Sequence, residues 1–269
     1  MITVFTPTFN RAYILPKLYE SLCHQTCKDF EWLIVDDGSA DDTESLVQNW
    51  ITENNVNIVY IKRENGGKST AINIGVQNAK GNLFFIVDSD DFLTDNAIEL
   101  ISDAEKDKNQ KSIKDSNGYF VAGYCYKKIN YRTGMVISSS DLSLPEQASS
   151  LELAFKYKMS GDKAEVFYTD ILKKFPFPEI SGNKFVPEAL IWYRIAKAKY
   201  KLIIKNEAIY QCDYIEDGYT QNFMSNLKKN CKGFGLFYRE CLHYKEIPLI
   251  VKLKYFIRFI QCKFYEVKK

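Results

Sequence analysis

From residue 1 to about 125 the chain alternates short apolar runs with segments whose apolar residues recur every three or four positions. Ile2 to Thr6, Glu31 to Val35, Asn57 to Ile61, Leu83 to Val87 and Tyr119 to Tyr124 are short, β-branched or aromatic, and bounded by polar turns, which predicts strands. Between them, Ile14, Leu15, Leu18 and Leu22 predict a helix opening at Asn10 and Arg11. Leu46, Val47, Trp50 and Ile51 predict a second helix beginning at Thr43. Lys68 to Ala79 reads as a third helix, and Ala97, Ile98, Leu100, Ile101 and Ala104 mark a fourth. This rhythm predicts an α/β fold with a largely parallel sheet covered by helices on both faces. The second half is less regular. Lys106 to Asn117 is charged and reads as exposed, Ser138 to Pro145 reads as a loop, and Lys174-Phe-Pro-Phe-Pro178 excludes a regular helix. Ala189 to Ala198 is helical in pattern, and Pro187-Glu188 before it suits a first helical turn with a carboxylate near its positive end.

The polar residues ending these strands carry the chemistry. Asp88-Ser89-Asp90-Asp91 places three carboxylates at the end of the buried run Leu83–Val87. Like charges so close repel, and a hard divalent ion, Mg²⁺ or Mn²⁺, completed by water and substrate phosphates, relieves them. Asp36-Asp37-Gly38-Ser39 ends a second strand in the same way, and the C-terminal edge of a parallel sheet is where ligands bind. Either cluster alone reads equally well as a turn or helix cap; the two together favour a shared crevice. Asn65-Gly66-Gly67-Lys68-Ser69 resembles the end of a phosphate-binding P-loop, but Lys62 stands where the earlier glycine is required. A weaker phosphate role for Gly67 and Lys68 survives beside a plain turn.

Composition changes this picture little. The 269 residues are 46% hydrophobic and 26% charged with a formal net charge of +2, which gives no general nucleic-acid signal. Cys23, Cys27, Cys125, Cys212, Cys231, Cys241 and Cys262 are odd in number and scattered, as suits a reducing, cytoplasmic compartment. The N-terminus shows neither a basic start nor a long apolar run, so no signal peptide is expected. Cys23-His24 with Cys27 hints at zinc, but four ligands are needed and the other histidine, His243, is distant in sequence. Near the C-terminus, Leu249, Leu253, Phe256, Ile257, Ile260 and Phe264 recur at helical spacing among Lys252, Lys254, Arg258, Lys263, Lys268 and Lys269. Charge interrupts this stretch too often for it to span a membrane. Two readings of residues 248–266 stay open: a stripe packed on the domain or on a second subunit, and a helix lying on an anionic membrane.

Taken in order, Thr6-Pro-Thr-Phe-Asn-Arg11, Glu31-Trp-Leu-Ile-Val-Asp-Asp-Gly-Ser39, Asn65-Gly-Gly-Lys68 with Ala71 and Asn73, and Asp88-Ser-Asp-Asp91 resemble family 2 glycosyltransferases of the GT-A fold. The likeness is tight over residues 1 to 95 and loose to about 200. It implies a Rossmann-like α/β/α sandwich and an inverting enzyme that takes a nucleotide-sugar donor, most often a UDP-sugar, with Mg²⁺ or Mn²⁺. It also implies a carbohydrate or glycolipid acceptor in surface polysaccharide or glycolipid synthesis. On this resemblance residues 1–210 form the catalytic domain, 1–125 as the donor half and 126–210 as the acceptor half, with 211–269 as a helical extension. Pro7, Phe9, Arg11, Asp37, Gly67, Lys68, Asn73, Asp88 and Ser89 would bind the donor, and Asp90 and Asp91 the metal. Phe9 keeps the face for base stacking and lacks the hydroxyl often found there. The resemblance points to Glu188 as catalytic base, with Asp162 as second candidate. Two rivals remain: a sugar nucleotidyltransferase, for which the Thr6–Arg11 turn lacks the expected glycines, and a binding module without catalysis.

Overall fold

A computed structural model describes residues 1–106, 118–140, 142–159, 161–212 and 223–268. Positions 107–117 of the expected charged segment, Asp141 of the expected loop, and Lys269 lie outside these. Strand β1 (Ile2–Thr8), helix α1 (Leu15–Cys23), β2 (Phe30–Asp36), α2 (Thr43–Glu53), β3 (Ile58–Lys62), α3 (Lys68–Asn78), β4 (Leu83–Ile86) and α4 (Ala97–Lys106) follow the expected alternation. One further strand, β5 (Asp91–Leu93), interrupts it between β4 and α4. The first helix starts later than Asn10. Asn10 adopts a left-handed backbone (φ 53°) and Pro16 lies in the first turn of α1, so the polar residues after β1 form a turn that precedes the helix.

The remaining elements are β6 (Phe120–Asn130), β7 (Gln147–Ala148), a π-helical turn (Glu152–Lys156), β8 (Ala164–Tyr168), α5 (Thr169–Lys174), α6 (Ala189–Lys197) and β9 (Tyr200–Cys212). Helices α7 (Phe223–Lys229), α8 (Cys231–Cys241) and α9 (Leu249–Val267) complete the chain. The strands form one sheet in the order β3-β2-β1-β4-β8-β6-β9-β5, with β7 pairing β9. Strands β3, β2, β1 and β4 are parallel, as the sequence predicts. Beyond β4 the sheet is mixed, because β8 runs antiparallel to both β4 and β6, while β6 and β9 pair in parallel. The antiparallel β8 could not be read from the alternation: its five residues include Glu165, and a β-strand is assigned by its neighbours as much as by its own residues.

Alternate residues of the strands face opposite cores. Phe5, Leu33 and Val35 pack with α3, α5, α6 and α8 on one face. Val4, Trp32 and Ile34 pack with α1, α2 and α4 on the other. There Tyr19, Trp32 and Trp50 stack, with the Tyr19 and Trp50 rings 4.3 Å apart. With both faces covered, β1 and β2 are buried almost throughout, and their C-terminal ends, Thr8 and Asp36, open onto one edge of the sheet.

Candidate active site

At that edge lies a cavity of about 730 Å³. Its lining gathers Pro7, Phe9 and Arg11 from the end of β1, Asp37 from the end of β2, Gly67 and Lys68 from the start of α3, Asp88 through Asp91, Asp162, and Glu188. Of the residues assigned from sequence to the donor, the metal or the base, only Asn73 is absent from this lining. Its amide is held by the chain: Nδ2 donates to the Phe177 carbonyl at 2.9 Å and Oδ1 accepts from the Phe177 N–H at 2.8 Å, which makes it a clamp between α3 and the segment after α5. It sits one and a half turns into the helix, away from the N-terminal end that faces the cavity.

The acidic turn after β2 divides its labour. Asp36 is structural, accepting from the Ser39 N–H at 2.8 Å and from the Tyr60 hydroxyl at 2.5 Å. Asp37 turns to the cavity, but both its oxygens also accept backbone N–H groups, Gly66 at 2.9 Å and Gly67 at 2.7 Å, with the Arg63 guanidinium 3.5 Å away. A carboxylate has about four lone-pair sites, so acceptor capacity remains for a ligand. The Gly67 N–H is therefore committed to Asp37 and is not offered to a phosphate. Gly67 is needed for another reason: its φ is +95°, and a Cβ there would lie 1.9 Å from the Lys184 carbonyl oxygen.

That close approach brings the acceptor-side chain to Lys68. The Ser69 hydroxyl accepts from the Val186 N–H at 3.0 Å, the Lys184 ammonium donates to Asn65, and Pro187 and Glu188 then open α6. The Lys68 ammonium ends 2.7 Å from Asp88 and 2.8 Å from Glu188, so one cation bridges the strand-end carboxylate and the first residue ahead of α6. Burial works against the charge on Lys68, but Asp88 and Glu188 outweigh it and hold its pKa well above the usual lysine value. Burial likewise opposes ionisation of Asp88, and Lys68, aided by Lys128, keeps its carboxyl below the ordinary aspartate range.

Asp90 and Asp91 differ from Asp88. Neither forms an ion pair among the described residues. Burial, reinforced by Asp88, raises Asp90. Burial pushes Asp91 up to about 7, with Lys128 opposing and Asp88 and Asp90 adding to the rise. No group of three His, Cys, Asp or Glu side chains among the described residues is arranged to hold a metal ion. The donor set is two hard carboxyl groups that no ion pair among the described residues occupies, which fits an ion that takes most of its coordination from phosphates and water. Ser89 is buried beside them, and the Asp88 N–H is fixed by the Tyr210 hydroxyl at 3.0 Å. Thr8 Oγ1 is buried without a hydrogen-bond partner among the described residues and belongs to a residue lining the same cavity. An unmet buried hydroxyl costs about 1–3 kcal/mol, and a ligand group would relieve it.

Several lining residues were not singled out from sequence. Glu165 on β8 is half-buried, and desolvation pushes its carboxyl up to about 7 although Lys163 and Lys128 oppose the rise. Lys128, at the cavity end of β6, lies with its ammonium 3.7 Å from the centre of the Tyr210 ring. Trp192 of α6 stacks on Phe167 at 4.4 Å and forms part of the lining. Strand alternation from Tyr124 would have found Lys128, had the strand been extended past residue 124; Glu165 lies three residues from Asp162 in the same acidic stretch, and Trp192 gave no comparable signal.

The family model for glycosyl transferase family 2 matches residues 3–116. The GalNAc(5)-diNAcBac-PP-undecaprenol beta-1,3-glucosyltransferase of Campylobacter jejuni is 30% identical over 255 residues, which cover 93% of this chain and 74% of that protein. The chain belongs to glycosyl transferase family 2. Solved structures carry the same fold to its C-terminal helices. S. aureus TarS superposes with a TM-score of 0.65 at 21% identity, covering 98% of this chain and 43% of the longer TarS chain. The mannosyltransferase PcManGT from Pyrobaculum calidifontis, solved with GDP-Man and Mn²⁺, superposes with a TM-score of 0.62 at 17% identity, covering 98% of this chain and 69% of that one. This family 2 glycosyltransferase therefore has the GT-A fold, and its cavity lies at the C-terminal edge of the parallel strands.

Proposed function

We propose that the cavity binds a nucleotide-sugar, a UDP-sugar in particular, and transfers the sugar with inversion to a hydroxyl of a carbohydrate or lipid-linked acceptor. The observation that carries this reading is Lys68, whose ammonium joins Asp88 to Glu188. One cation thereby stands between the group at the donor's diphosphate and the group that would meet the acceptor. Phe9, 46% exposed on the cavity wall, offers a face to the base, and Asp37 an acceptor to its edge. Glu188 takes the acceptor proton as the acceptor oxygen bonds to the anomeric carbon and the nucleoside diphosphate departs, with Lys68 stabilising the charge that grows on it. Asp162 lines the same cavity and is assigned to acceptor hydroxyls. Asp90 and Asp91 would hold Mg²⁺ or Mn²⁺, which when bound would neutralise the diphosphate. S. aureus TarS 1–349 has been solved with UDP-GlcNAc at 20% identity and a TM-score of 0.62, and the Campylobacter jejuni relative is named for an undecaprenol-linked acceptor. The first supports a UDP-sugar donor and the second a lipid-linked acceptor.

Calorimetry with UDP and with UTP, each with and without Mn²⁺, followed by a screen of UDP-sugars for hydrolysis and transfer, tests the reading. Glu188→Gln is expected to bind UDP as the parent does and to lose about 10²–10⁴-fold in turnover, the usual contribution of a positioned base. Parent-like turnover in Glu188→Gln with a large loss in Asp162→Asn would move the base to Asp162. UTP binding with turnover to a sugar nucleotide would instead indicate a nucleotidyltransferase.

A further inference from the structure

Helix α9 is apolar on two opposite faces, and the described residues cover only one of them. Val251, Tyr255, Phe259, Cys262 and Tyr265 pack into the core shared with α8, where Tyr255 lies 5.3 Å from the Tyr238 ring. On the other side Leu253, Phe256, Ile257, Ile260 and Phe264, with Leu249, Ile250 and Val267 at the ends, are left between 49% and 87% exposed. At about 100° per residue these outer side chains fall within an arc of about 120°, centred opposite the covered one. The stripe expected from sequence is therefore not packed on the described residues of its own domain. Eight half-exposed or more exposed apolar side chains on one helix face exceed the scattered exposure that ordinary surfaces show.

We propose that this outer face of α9 docks in the plane of an anionic lipid bilayer. Charge selects this occupant. Lys252 and Lys263 flank the apolar arc on one side and Lys254 and Lys268 on the other, while Glu266 is the only acidic residue of the helix. Long basic stems at the rim of an apolar face reach phosphate headgroups while their methylenes lie along the acyl boundary. A second copy on the same face, related by a twofold axis, would set these lysines against each other. No helix among the described residues is long and apolar enough to cross a membrane, so the arrangement is one of lying on the surface. The inner face of α9 is joined to the cavity through rings: Tyr255 meets Tyr238, Tyr238 stacks with Phe234, and Phe234 lies 5.4 Å from Phe185 in the cavity lining. Helix α9 thus belongs to the helical layer that packs, through these rings, against the Phe185 wall of the cavity. This deepens the lipid-linked acceptor reading above by naming the surface that meets the lipid.

Flotation of the full chain with phosphatidylcholine vesicles, with and without phosphatidylglycerol, tests it. The parent is expected to float with the phosphatidylglycerol vesicles and to be released by salt. Lys252→Ala with Lys254→Ala is expected to weaken partition roughly 25-fold, at about fivefold per lysine near an anionic surface. Leu253→Ser with Ile260→Ser is expected to abolish flotation while the melting temperature and UDP binding stay at parent values, since neither residue touches the core or the cavity. A parent that stays unbound to phosphatidylglycerol vesicles, or apolar variants that float as the parent does, overturns the proposal. So does a parent dimer that Leu253→Ser with Ile260→Ser converts to monomer, which would assign the face to a second copy. UDP binding measured on the same samples keeps the two readings apart: flotation without UDP binding sinks the donor assignment, and UDP binding without flotation sinks the docking face.

Discussion

Replacing Lys68 by methionine keeps the length of the side chain and removes the one cation shared by Asp88 and Glu188. Asp88 then keeps only the weaker influence of Lys128 and Arg11, and Glu188 loses its ion pair with Lys68. Removing one partner of a buried charge cluster costs about 3–5 kcal/mol. Lys68 retains 19% of its side-chain exposure and the carboxylates 33% and 31%, so water recovers part of the loss and the lower end applies. About 3 kcal/mol corresponds to a drop of roughly 6–12 °C in melting temperature for a domain of this size. The pH dependence separates lost charge from lost packing. In the parent, Asp88 is held below its ordinary value, so its contribution is in place above the unfolded pKa of 3.8 and is lost only as pH falls through the lower folded value. Stability from this group is therefore flat between about pH 8 and about pH 5. In Lys68→Met, burial is no longer offset by Lys68 and raises Asp88, so the variant regains stability as pH falls and that carboxyl takes up its proton. Differential scanning calorimetry of the two proteins should show a deficit near pH 8 that shrinks toward pH 5. An equal deficit at both pH values would reduce the effect to packing, and no deficit would refute the claim that Lys68 holds the two acids together.

Gly67→Ala places a Cβ 1.9 Å from the Lys184 carbonyl oxygen on a left-handed backbone; a loss of about 2–4 kcal/mol in urea unfolding is expected, and a loss below about 0.5 kcal/mol would show that the two loops part freely. Glu165 has a folded pKa of about 7 against an ordinary 4.5, so the fold loses stability as pH rises from 4.5 to 7. Glu165→Gln should therefore flatten the melting profile over that window, and parallel profiles for the two proteins would count against a half-buried, protonated Glu165. Asn73→Ala opens both amide bonds to Phe177 and should cost about 1–3 kcal/mol while UDP affinity, by calorimetry, stays unchanged; weakened UDP binding with intact stability would return Asn73 to the ligand.

Strands β1, β2 and β4 were legible from sequence because a strand buried on both faces must be apolar through most of its length, and its polar residues are then forced to its ends. That same constraint exposed Asp37 and Asp88 to Asp91, since carboxylates at two C-terminal strand ends in register share one edge. The pattern could not tell Asp36 from Asp37, because which of two adjacent carboxylates turns inward depends on Tyr60 and Gly67, partners from other parts of the chain. Nor could it show that Asn73 is a clamp, or that Glu165 and Trp192 line the cavity. The clamp joins residues 104 positions apart, and the other two reach the cavity through the packing of β8 and α6, of which local periodicity carries no record. Helix α9 makes the limit plain. Its sequence determined that it has an apolar stripe flanked by lysines, but a helix apolar on two faces has two ways to pack. Only the tertiary structure decided that Tyr255, Phe259 and Cys262 turn inward and that Leu253, Ile257 and Ile260 are left to face outward.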